Sequence, residues 1–152
     1  AHPAFYWPDF DASTQERGFF GFDKKEDVKY ILISEKGCAD PSAEYSLELA
    51  DGLLPLDIHT FDKDAFILEN EQVHKVTLYT KEKKACLSLH FHTPVVGLWS
   101  PPAKNAPFVC IEPWYGRCDR AHYTGEYKDK DWMQHLHPDK TFKGGYTIEI
   151  EE

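Results

Sequence analysis

The sequence predicts an all-β fold, an antiparallel β-sandwich, and three observations predict it. Short apolar runs alternate between two side-chain faces, which is the period of a strand. Turn-forming residues separate those runs, at Asp51-Gly52, Lys81 to Lys84 and Pro101-Pro102. No long window carries the periodicity of an amphipathic helix. At 152 residues the chain is long enough to bury a core, and residues 1–152 read as a single domain. There is no internal repeat, low-complexity segment or linker.

The elements follow in order. Residues 1–22 are rich in Pro, Gly and aromatics, and read as loop with short extended pieces. Val28 to Ser34 is a strand with Tyr30 and Leu32 on one face and Ile31 and Ile33 on the other. Both faces are apolar, which predicts a central strand covered on both sides. Gly37 to Pro41 breaks it. Tyr45, Leu47 and Leu49 alternate with polar residues and predict a half-exposed strand. After the Asp51-Gly52 turn, Leu53-Leu54-Pro55-Leu56 reads as an irregular apolar stretch. Ala65 to Leu68 and Val73 to Thr80 are further strands. Ala85, Leu87, Leu89 and Phe91 line one face of the next, with Cys86, Ser88, His90 and His92 on the other. Val95 to Trp99 and Phe108 to Ile111 follow. Tyr146, Ile148 and Ile150 alternate with Thr147, Glu149 and Glu151, which predicts a last strand with one wet face.

Composition narrows the function. The formal net charge is −9, from 26 acidic and 17 basic residues, and no basic cluster offsets it. That argues against a nucleic-acid partner. A mean hydropathy of −0.55 and the lack of a long apolar run argue against a membrane one. The N-terminus has no signal-peptide pattern, and Ala1 in place of an initiator methionine is what a processed product, an engineered chain or a piece of a longer one is expected to show. Cys38, Cys86, Cys110 and Cys118 form no Cys-x-x-Cys pair. Free thiols in a reducing, cytoplasmic setting are expected, with Cys86 and Cys110 as small hydrophobes within strands.

The chemistry concentrates at Phe108-Val109-Cys110-Ile111-Glu112-Pro113-Trp114-Tyr115-Gly116-Arg117-Cys118-Asp119. Alternation puts Glu112 on one face with Phe108 and Cys110. Pro113 has no N–H for a ladder, so pairing is expected to weaken there. A carboxyl at the end of an apolar strand beside Trp114 and Tyr115 loses hydration. This raises its pKa and suits it to act as a base near neutral pH. The ordinary reading is a rim glutamate paired with Arg117 or Arg120, and residue types alone favour it.

The same twelve residues resemble the catalytic-glutamate motif of the aldose 1-epimerase (galactose mutarotase-like) superfamily, in its LacX-type branch. Ala1-His2-Pro3-Ala4-Phe5 resembles that family's histidine motif, and Leu98-Trp99-Ser100 gives a weaker third match. The resemblance implies a twisted antiparallel supersandwich and an isomerase acting on a small-molecule aldose. It maps the catalytic base to Glu112 and the catalytic acid to His2, whose ordinary reading is a frayed terminal residue. Asp64 (ahead of Asp62) would bind sugar hydroxyls, although a solvated turn is its ordinary role. Trp99, Trp114 and Tyr115 would wall the pocket, or else belong to the core. Asp119 and Arg120 could hold the motif loop by an ion pair. No metal and no cofactor is required by acid/base ring opening.

The family carries a complete half before its histidine motif, with a further histidine and an arginine at the site. These 152 residues contain none of it, so they correspond to the C-terminal part, an incomplete half of the sandwich. Such a chain is expected to be inactive alone and to pair with the missing half or with another copy. Two rival readings remain. One is a non-catalytic carbohydrate-binding sandwich. The other is a metal enzyme built on His90 and His92, a His-x-His pair for which the pattern places no third ligand. A polar strand face is the more ordinary reading of that pair. His135 and His137 have no matched role.

Overall fold

A computed structural model describes residues 1–151. The strands are β1 (Ala4–Tyr6), β2 (Glu16–Phe22), β3 (Lys29–Ile33), β4 (Ala39–Ser46), β5 (Leu53–Asp57), β6 (Phe66–Leu68), β7 (Lys75–Tyr79), β8 (Ala85–Phe91), β9 (Val95–Trp99), β10 (Phe108–Trp114) and β11 (Tyr146–Ile150). Two short 3-10 turns, Glu35–Gly37 and Tyr127–Asp129, are the helical content among the described residues. One sheet has the order β1-β10-β9-β6-β3-β4 and the other β11-β8-β7-β2-β5, with antiparallel pairing throughout. The predicted all-β, two-sheet antiparallel architecture is what forms.

The core lies between the sheets. Phe66, Leu68, Val96, Leu98, Val109 and Ile111 of the six-stranded sheet meet Phe20, Leu54, Leu56, Val76, Leu78 and Leu89 of the other. Strand alternation then sends Ile31, Ile67, Val95 and Trp114 to the outer face of the six-stranded sheet. There they form a second apolar cluster with Trp132 and Cys118. Glu112 and Cys110 take this outer parity too, because Val109 and Ile111 point inward.

Several elements differ from expectation. Residues 16–22 form a full strand inside the second sheet, one in from the β5 edge, although they read as loop with short extended pieces. Gly18 is accommodated within it. Its φ of +102° sits at a register irregularity, where an added Cβ would stand 2.2 Å from the Tyr79 carbonyl oxygen. Leu53–Asp57 is also a strand; Pro55 is exposed on it at the sheet edge, where a missing N–H is tolerated. The strand expected around Tyr45 runs earlier, over Ala39–Ser46. β3 lies one strand in from an edge and is only half-buried on most positions. Pro113 does not end β10, which pairs with β9 through Trp114. On its other side β1 reaches only to Cys110, so no ladder there demands the missing N–H. β11 is exposed at every position rather than on one face.

Candidate active site

β10 carries the glutamate and β1 delivers the histidine. Ala4 pairs with Cys110, the Ile111 N–H donates to the Pro3 carbonyl at 3.3 Å, and the Ala1 nitrogen donates to the Pro113 carbonyl at 2.9 Å. The first residues therefore lie along β10 and are not frayed. This lacing places His2 Nδ1 3.2 Å from Glu112 Oε1. The other carboxylate oxygen, Oε2, accepts a hydrogen bond from Trp114 Nε1 at 3.2 Å. Both oxygens thus face ring nitrogens, and the arginine partners of the ordinary reading are elsewhere.

The electrostatics are those of a poised carboxyl. The Glu112 side chain is 7% exposed and that of His2 64%. Burial pushes the Glu112 pKa above the usual carboxylate range, and the His2 imidazole and the indole N–H pull part of the way back. His2 meets solvent, while Glu112 is buried. Trp99, across from Cys110 in the β9 register, puts its ring edge-on to His2 with centroids 6.0 Å apart. Gly97 stands opposite Glu112, and an added Cβ there would lie 2.5 Å from the Trp114 ring. The absence of a side chain at 97 is what lets the indole lie over β9 and reach back to the carboxylate.

Of the residues mapped by resemblance, His2, Glu112, Trp99 and Trp114 come together. Tyr115 packs edge-on against Phe142 at 4.8 Å and against Gly144. Asp64 precedes β6 with φ 72°, and its Oδ1 accepts from the Ala65 N–H at 2.7 Å, so it caps the strand start. It lies three residues before Ile67, which is in line with Glu112 through Gly97.

Arg117 does not pair with Glu112. Its side chain is 2% exposed and bonds Glu69 at 2.5 Å and Asp131 at 2.9 Å, and Trp132 Nε1 donates to Glu69 at 2.7 Å. Asp119 and Arg120 do not pair with each other; Lys130 and Asp131 take them at 2.5 and 3.7 Å. This network fastens the segment after β10 beside the outer cluster. Glu69 and Trp132 carried no signal in the sequence, since each is assigned by a partner more than forty residues away.

His90 and His92 stand on the other sheet. His90 Nε2 is 2.7 Å from Glu149 of β11, a neighbour the sequence pattern did not place, and the His92 ring stacks near that of His74 at 5.0 Å. Among the described residues, the group whose His, Cys or carboxylate atoms converge closely enough to hold a metal is His2, Cys110 and Glu112, with all ligand atoms within 4.8 Å. All four cysteines are free. No helix among the described residues is long and apolar enough to cross a membrane.

The fold is a galactose mutarotase-like β-sandwich, and it carries a carboxyl and an imidazole in contact on the outer face of one sheet. The particular likenesses are to LacX. The chain is 28% identical to protein LacX of Lactococcus lactis subsp. lactis, in both its plasmid and chromosomal forms, over 99% of this chain and 50% of theirs. It superposes on the X-ray structure of a galactose mutarotase related enzyme from Lactobacillus acidophilus with a TM-score of 0.85 and 29% identity, covering 99% of this chain and 50% of that one. A galactose mutarotase-like protein from Lactobacillus casei ATCC 334 shares the fold, with a TM-score of 0.76 and 22% identity over 97% and 49% of the two chains. No family model matches the sequence. The chain spans about half the length of the relatives it matches.

Proposed function

We propose that this chain carries the acid/base pair of an aldose 1-epimerase, with Glu112 as base and His2 as acid. The observation that carries the reading is the contact between them at 3.2 Å. A cyclic aldose holds its anomeric hydroxyl and its ring oxygen on one carbon, so a base for the first and an acid for the second must stand close together. Glu112 takes the proton from the hydroxyl at C1, His2 protonates the ring oxygen, and the ring C–O bond breaks to give the open aldehyde. Rotation about C1–C2 and the same transfers in reverse close the other anomer. The pKa of Glu112, raised by burial, brings the base nearer to working pH. Trp99 and Trp114 offer aromatic walls beside the pair. Asp64 and Tyr115 are proposed as more distant contacts to sugar hydroxyls.

The shared half-length supports a further element of this reading: the 152 residues alone exchange anomers slowly, and the half present in the relatives completes the sugar clamp. The test is polarimetric or NMR anomer exchange, first with this chain and then with it complemented by the matching other half of a LacX-type protein. In the complemented protein, Glu112→Gln should lower exchange by orders of magnitude while sugar binding persists. Near-normal exchange in that variant removes Glu112 from the mechanism. Sugar binding with no exchange in the unsubstituted protein makes the chain a carbohydrate-binding module instead.

A further inference from the structure

Cys110 has no part in ring opening, yet its sulfur stands at the acid/base pair. Cys110 and Glu112 are two apart on β10 and share its outer face, and the strap before β1 brings His2 over both. Imidazole, thiol and carboxylate together are the donor set of a borderline-soft divalent cation, of which zinc is the type. The spacing suits it as well. With metal–nitrogen and metal–oxygen bonds of about 2.0 Å at a tetrahedral angle, nitrogen and oxygen stand about 3.3 Å apart. His2 Nδ1 and Glu112 Oε1 are already 3.2 Å apart. Sulfur at about 2.3 Å from the metal would lie about 3.5 Å from either atom. The three donor atoms lie within 4.8 Å of one another, so the exposed His2 has little distance to close. Cys110 and Glu112 are buried and held by the sheet, which presets two ligands, and the exposed His2 side is the way in.

We propose that His2, Cys110 and Glu112 form a site for one zinc-type divalent cation, and that a cation bound there blocks the acid/base pair. On binding, the Cys110 S–H bond breaks, its proton passes to solvent, and the sulfur lone pair forms the metal bond. Imidazole and carboxylate contribute lone pairs already present, and no oxidation state changes. A fourth position stays open to water. Occupation of both proton-transfer groups leaves neither free for a sugar. This inhibitory half rests on the function proposed above; the binding half does not.

Cobalt(II) is the probe for the 152-residue chain. One equivalent should bind with a thiolate-to-cobalt charge-transfer band in the near ultraviolet, and zinc should displace it. Cys110→Ser should abolish the band. His2→Ala changes an exposed side chain and leaves the sheets intact, and it should weaken cobalt binding by at least about tenfold. The site is overturned if the unsubstituted chain gives no such band, if Cys110→Ser keeps it, or if His2→Ala binds cobalt as tightly as the parent. In the complemented protein, saturating zinc should stop exchange and a chelator should restore it. Exchange that is unchanged or faster in zinc overturns the inhibitory half. Absence of exchange in metal-free protein counts against the enzymatic reading, while cobalt binding is judged by its own spectrum.

Discussion

Glu112 makes a prediction of definite sign. Its folded pKa lies above its unfolded one because burial disfavours the charged form. Below the unfolded value both states are protonated and stability is at its fullest. As pH rises toward the folded value the unfolded state holds fewer protons, so stability falls, then levels off once both are ionised. Glu112→Gln lacks this loss. Urea midpoints across an acid-to-neutral pH series should therefore show the variant gaining on the parent as pH rises from the ordinary carboxylate range. A gap that does not change with pH contradicts the raised pKa. Gly97 makes a second. Gly97→Ala would drive a methyl into the Trp114 ring and push the indole off Glu112. Overpacking of this kind costs about 1–3 kcal/mol, readable as a lowered urea midpoint, and exchange in the complemented protein should drop further than stability explains. The glutamate was legible from its motif and strand parity. Gly97 was not, because a missing Cβ has meaning only when another strand's ring fills its place.

At the scale of the element, the segment after β10 depends on Arg117. Its Nε and Nη2 bond different carboxylates, Glu69 and Asp131, from a nearly inaccessible position. Arg117→Ala leaves Glu69 half-buried without its cation, a loss of about 3–5 kcal/mol. Limited proteolysis should then cut within residues 119–134 well before the sheets unfold. Arg117→Lys should not restore resistance, since one ammonium cannot reproduce two divergent guanidinium bonds. If the lysine variant matches the parent, the fork geometry is irrelevant. Strands with clear alternation or an unbroken apolar run, such as β8 and β9, could be read directly, whereas β10 runs past the end its Pro113 suggested. β2 and β5 were obscured by Gly18, Gly21 and Pro55, residues that mark loops in isolation. Here they fit a register irregularity, a close approach to Tyr79 and an exposed edge.

For the whole molecule, β11 shows where the sandwich is uncovered. Ile148 pairs with Leu89, so parity aims it to the core side, yet Ile148 is 44% exposed where Leu89 is 0%. Tyr146 and Ile150 share that open face. An exposed apolar edge strand seeks a partner. The chain should therefore self-associate in sedimentation velocity, and the matching half of a LacX-type relative should compete with that association. Ile148→Lys with Ile150→Lys should reduce it. Monodisperse behaviour of the parent at all concentrations would show that this edge is tolerated as it stands. Composition gave no sign of this surface, because Tyr146, Ile148 and Ile150 look in sequence like one ordinary buried face.

The two faces of β10 answer to different selective demands, and a library would separate them. Val109 and Ile111 are fully buried between the sheets, while Glu112 faces outward to His2. Saturating residues 108–114 and sorting the variants twice, by abundance and by turnover, should separate the positions that hold the fold from those that do the chemistry. Positions 109 and 111 should fail both sorts unless volume is kept. Position 112 should pass the first and fail the second. Position 110 should be limited by volume in both sorts. Its sulfur should matter only in a third sort, run in zinc, where the variants that survive are those that have lost it.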